Sequence, residues 1–118
     1  MDCGLPTEVI EKIREVFRNH SQIETAVLYG SRAKGNFKNG SDIDLTLKGD
    51  QIDQSTRNRI DDELDDLMLP WMFDLSIYSN IENPDLIDHI DRVGISIYQH
   101  PGENQNPELR AADKTSLT

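Results

Sequence analysis

The stretch Ser41-Asp42-Ile43-Asp44-Leu45-Thr46-Leu47 decides how this chain folds. From Asp42 to Leu47 it alternates without a break: Asp42, Asp44 and Thr46 point one way, Ile43, Leu45 and Leu47 the other. Successive side chains of a strand point to opposite faces, so the pattern predicts a half-buried strand with its carboxylates on the open side. Phe73 to Tyr78 repeats the plan, with Phe73, Leu75 and Ile77 opposite Asp74, Ser76 and Tyr78.

Outward from these strands the pattern alternates between helix and strand. From Pro6 to about Asn19, Val9, Ile10, Ile13, Val16 and Phe17 recur at helical spacing. Pro6 and Thr7 suit its start, and Glu8 and Glu11 suit its positive end. Ala26 to Tyr29 reads as a short strand ended by Gly30, and 31–40 as a turn, a short helix and a loop. Asp53 to about Met68 reads as a polar helix with Ile60, Leu64 and Leu67 inward, stopped by Pro70. Asn83 or Pro84 opens a last helix with Leu86, Ile87, Ile90 and Val93 inward. Gly94 closes it, before a strand from Ile95 to Tyr98. The expected fold class is α+β: a small mixed β-sheet with helices packed on one face. Residues 1–100 form the expected domain and 101–118, polar and with little to bury, a flexible tail.

Composition narrows the function classes. The chain has 118 residues and a formal net charge of −10, from 22 acidic and 12 basic side chains. It has no basic stripe, which argues against DNA, long RNA or an anionic membrane as partner. A small phosphate ligand stays open if metal ions screen it. Cys3 is the only cysteine, so no intramolecular disulfide or Cys-rich zinc site can form. No apolar run is long enough to cross a bilayer, and a cytoplasmic protein is expected.

Asp42 and Asp44 lie side by side on one strand face, where two carboxylates repel each other. A hard divalent cation removes that repulsion, and Mg2+ prefers such oxygen ligands. If the strand carrying Asp74 lies alongside, three acids could hold two ions at the separation of ~3.5–4 Å that serves phosphoryl chemistry. Taken alone, Asp-x-Asp on an exposed strand face is more often plain surface. Gly30-Ser31 follows a strand and opens a turn whose N–H groups could meet a phosphate, with Arg32 and Lys34 neutralising charge. Other motif readings fail. Gly30 and Gly35 have P-loop spacing, but Asn36-Phe37 stand where Lys and Ser/Thr are required. No dinucleotide glycine fingerprint is present. Asp42-Ile43-Asp44 starts like a calcium loop, but Leu47 replaces the needed glycine.

Together, Gly30-Ser31-Arg32, Ser41-Asp42-Ile43-Asp44-Leu45 and Phe73-Asp74-Leu75 resemble the DNA polymerase beta-like nucleotidyltransferase superfamily. The closer likeness is to its minimal members, small bacterial and archaeal proteins often paired with a HEPN partner; it runs from about Ile23 to Tyr98. The resemblance implies a nucleotidyltransferase fold in which Gly30 and Ser31 contact the triphosphate of ATP. It implies that Asp42 and Asp44 ligate both of two Mg2+ ions and that Asp74 completes the one nearer the attacking hydroxyl. It further implies AMP transfer to a tyrosine of a helical HEPN-type toxin, with this chain as the antitoxin. A large acceptor-binding domain is missing, so the partner is expected to build the acceptor site. Two alternatives stay open: a non-catalytic module that neutralises its partner by binding, and a nucleotidyltransferase for a small-molecule acceptor.

Other residues invite plainer readings. Asp61, Asp62, Glu63, Asp65 and Asp66 read as a solvated helix face, or more sharply as a contact surface for a basic partner. His20, His89 and His100 show no metal-ligand spacing. Trp71 reads as packing rather than a base-stacking platform. Tyr29 and Tyr78 could border the site or simply pack.

Overall fold

A computed structural model describes residues 3–101. Apart from Pro101, the expected tail over 101–118 lies outside the described residues. The elements run α1 (Thr7–Arg18), β1 (Thr25–Tyr29), α2 (Ser31–Lys34), β2 (Ile43–Lys48), α3 (Gln54–Asp65), β3 (Phe73–Ile77), α4 (Pro84–Val93) and β4 (Ile95–Gln99). The strands form one mixed sheet in the order β3-β2-β1-β4. β1 is antiparallel to both neighbours, and β2 and β3 are parallel. A parallel pair cannot be joined by a tight hairpin, and α3 lies within the long connection it needs.

The alternation read in β2 and β3 builds the main core. Ile43, Leu45, Leu47, Leu75 and Ile77 join Ala26 and Leu28 of β1 on one face, against Ile13 and Phe17 of α1 and Ile60 and Leu64 of α3. The turn after α1 is tied to α3 at the edge of that layer, where His20 Nε2 meets Glu63 Oε1 at 2.9 Å. Asp53 caps α3 by accepting from the Thr56 N–H at 2.8 Å. The other face carries a smaller second layer. Val27 and Tyr29 of β1 pack there with Ile90 of α4, flanked by Tyr78, Ile81 and Leu86. Of the four inward residues expected on α4, Ile90 alone is fully buried.

Several boundaries differ from the sequence reading, among them the start of β2 at Ile43, which leaves Asp42 on the preceding loop. α3 stops at Asp65, three residues before the expected end. Its last turn tightens, with the Leu67 and Met68 N–H groups bonding Leu64 O and Asp65 O. Met68 then takes the left-handed conformation (φ 57°) in which glycine ordinarily ends helices, so the chain has left the helix before Pro70. β3 ends at Ile77, and Tyr78 opens a 3-10 turn through Asn80. No helix among the described residues is long and apolar enough to cross a membrane.

Leu45 is fully buried at the centre of the sheet. Leu45→Ala is expected to lower stability by about 2–5 kcal/mol. Ile87→Ala, at a half-exposed position, is expected to cost less than about 1.5 kcal/mol. Urea unfolding of the two variants measures both.

Candidate active site

Asp44 and Asp74 are direct partners across the parallel β2–β3 pair, and Tyr29 of β1 lies opposite Asp44 on the other side. Neighbouring strands run ~4.8 Å apart, so both carboxylates leave the same sheet face side by side. That face is the one opposite the main core, toward the α4 layer. Asp42 stands on the loop one residue before β2 and is exposed; Asp44 is half-buried and Asp74 exposed.

The electrostatics join the three acids. Burial pushes the Asp44 carboxyl above its usual range, the negative charges of Asp74 and Asp42 push it further, and His89 opposes them. A half-buried carboxylate held up by two like charges is a donor set that a divalent cation relieves, and all the donors are hard oxygens. The three acids thus suit Mg2+ by chemistry. They do not yet form a closed cage: among the described residues no three His, Cys, Asp or Glu side chains are gathered tightly enough to enclose an ion.

Gly30 lies against this cluster. Its backbone (φ 76°, ψ −155°) is open to glycine and strained for other residues, and a Cβ there would collide with Asp44 Oδ2. The Gly30 N–H donates to His89 Nε2 at 3.1 Å rather than pointing to solvent. Ser31 begins α2 directly behind it. His89 is therefore a site residue that sequence reasoning missed. Its only signal is the docking of α4 on the acid-bearing face, which no spacing in the sequence reveals. Tyr29 closes this side, packing edge-on to His89 with centroids 6.2 Å apart. Burial raises the Tyr29 hydroxyl above its ordinary range; a hydrogen bond with Ser76 opposes that, and the Asp74 and Asp44 charges add to it. Tyr78 belongs to packing instead: its O–H donates to Asp91 at 2.8 Å, and Lys48 Nζ lies 4.5 Å from the centre of its ring.

Arg32 does not do what its sequence position suggests. It is 1% exposed, and its guanidinium is committed to backbone carbonyls. Nε and Nη2 donate to Ser41 O at 3.1 and 2.9 Å, Nη1 to Cys3 O at 2.8 Å, and Nη2 also to Asn39 O at 3.3 Å. The rings of Phe37 and Trp71 stand 5.3 and 5.6 Å from it. The expected neutralisation of phosphate by Arg32 is thereby corrected, because the guanidinium is buried and each of its three nitrogens already donates to a backbone carbonyl. Arg32 instead clamps the loop that leads from α2 to Asp42. Trp71 completes the clamp as packing, donating its Nε1–H to Asn39 O at 3.0 Å.

The sequence profile of the family described as "Polymerase beta, Nucleotidyltransferase" matches residues 11–103. No curated protein sequence matches the chain. Among solved structures, a toxin-antitoxin with AMP-PNP is similar at a TM-score of 0.64 and 19% identity, over 78% of this chain and 74% of that one. The tri-AMPylated Shewanella oneidensis HEPN toxin in complex with MNT antitoxin gives 0.59 and 18%, over 78% and 71%. The toxin-antitoxin MntA-HepT gives 0.60 and 17%, over 80% and 73%. At these identities the likeness is one of fold.

Two outcomes follow from the site's electrostatics and packing. The fold raises the Asp44 carboxyl above its unfolded value, so the stability tied to its proton is full at acid pH and is lost as pH rises through the folded value. In metal-free buffer Asp44→Asn is expected to melt above the wild type at neutral pH, the gap closing on acidification. Thermal melts across pH in a chelator test this. Arg32→Ala leaves the Cys3 and Ser41 carbonyls without their Arg32 donors and is expected to cost roughly 2–4 kcal/mol. Arg32→Lys should restore little of it, because one ammonium cannot span the fork. Chemical unfolding of both variants decides the point.

Proposed function

The chain belongs to the polymerase beta nucleotidyltransferase family, and from that premise we propose that it transfers AMP from ATP to a hydroxyl of a partner protein. The observation that carries this reading is the Asp44–Asp74 pairing across β2 and β3, set against the Gly30 turn. Asp42, Asp44 and Asp74 would hold the divalent ions, and Gly30 and Ser31 would lie toward the phosphates. Two Mg2+ ions, when bound, supply the charge that activates the acceptor hydroxyl and stabilises the departing pyrophosphate. In the transfer a bond forms between the acceptor oxygen and the α-phosphorus. The bond from that phosphorus to the bridging oxygen breaks, and the hydroxyl proton is released.

The partner in this reading is a helical HEPN-type toxin, with this chain as its antitoxin in the cytoplasm. Support comes from the fold shared with toxin-antitoxin complexes, one of which holds an AMPylated HEPN toxin. Adding AMP to a toxin tyrosine would place charge and bulk on it. A second reading has one observation in its favour. The Gly30 N–H is already satisfied by His89. On that view the chain neutralises its partner by binding alone.

Incubation with ATP, Mg2+ and the HEPN protein of the adjacent gene is expected to add one or more AMP masses to that protein; an unmodified partner counts against transfer. Asp74→Asn is expected to lower transfer by about 10²-fold or more. Neutralisation that survives this substitution supports the binding-only reading.

A further inference from the structure

Beyond the acid site, the structure carries an apolar groove with an acidic rim at the C-terminal end of α3. Met68 and Met72 are the exposed large hydrophobics among the described residues, at 87% and 73%. Both line a groove of about 240 Å³ together with Leu69, Trp71 and Asp65. Burying either side chain would be favourable, and water holds both. Met68 is also the one non-glycine residue with positive φ among those described, so its exposed position is held at some backbone cost.

Charge identifies what would cover this groove. Asp62, Asp65 and Asp66 are exposed on the last turn and cap of α3, and none of them forms an ion pair among the described residues. Asp61 and Glu63, by contrast, pair with Arg57 and His20. A helix C-terminus carries partial negative charge and favours cations, yet the last turn of α3 has no basic residue. Three unpaired carboxylates at the negative end of a helix raise the cost of the free surface. A cationic partner removes that cost. A second copy would bring the same acids against a chain of net charge −10.

We propose that this groove docks a cationic amphipathic segment of another protein. Apolar side chains of the segment would cover Met68 and Met72, and Lys or Arg would lie opposite Asp62, Asp65 and Asp66. Methionine suits the task, since its flexible thioether adapts to varied apolar surfaces. The groove runs up to Phe73, whose side chain faces away from that of its neighbour Asp74. Docking there leaves the acid face free.

The full-length chain, isotope-labelled, is titrated with a helical Leu/Lys peptide and with its Leu/Glu counterpart. Saturable binding of the Leu/Lys peptide, with amide shifts confined to 62–73, is the expected result; the Leu/Glu peptide should not bind. Met68→Asn with Met72→Ser is expected to weaken binding about tenfold, the scale of losing central contacts. Asparagine tolerates the backbone at 68, so the variant keeps the turn. The triple variant Asp62→Asn, Asp65→Asn, Asp66→Asn should weaken it by a similar factor. Absent binding, shifts spread over every acidic surface, or affinities within twofold of wild type in either variant would overturn the proposal. ATP binding, followed in the same samples, reports separately on the acid site.

Discussion

The parallel pairing of β2 with β3 is the constraint on which the rest depends. Its register sets Ile43, Leu45 and Leu47 beside Phe73, Leu75 and Ile77 on one face, and by the same act sets Asp44 beside Asp74 on the other. A slip of one residue would turn every apolar side chain of the strand to the wrong side. Burying each such side chain is worth about 1.5–3 kcal/mol. The repulsion of two partly solvated carboxylates a few ångströms apart is about 1–4 kcal/mol. Several buried side chains outweigh one repelling pair. The core therefore imposes the juxtaposition of the acids, and the fold stores an unfavourable contact that a cation can relieve.

The acid face is not bare, and that shapes the site. α4 covers the β1 side of it through Val27, Tyr29 and Ile90, leaving Asp44 and Asp74 at its margin. His89 then reaches the Gly30 N–H from α4, while Gly30 presses its open side against the Asp44 carboxylate. The glycine therefore serves two neighbours at once. Its missing side chain makes room for the acid, and its amide holds the helix that roofs the site.

Most of the architecture was legible because the apolar periods are clean. Alternation at 42–47 and 73–78 placed β2 and β3, and the pairing of Asp44 with Asp74 follows from it; Asp42, read on the same strand, lies on the loop before β2. What stayed hidden depends on distant partners. A buried arginine and a phosphate-facing one look alike in sequence, since the difference lies in whether Cys3, Asn39 and Ser41 turn their carbonyls toward it. His89 could not be assigned without knowing which side of the sheet α4 takes. The end of α3 was misplaced because Pro70 offered an obvious stop, while the real exit is a left-handed methionine that propensity would not choose.

The loop clamp around Arg32 has a further property. Every partner of its guanidinium is a peptide carbonyl or an aromatic ring, none of which gains or loses a proton across the range in which carboxylates titrate. The α1 surface pairs of Glu11 with Arg14 and Arg18 dissolve once their carboxylate is protonated; the clamp does not. The approach to Asp42 thus keeps its shape through acidification that would discharge Asp44, so scaffold and charge respond to different stimuli.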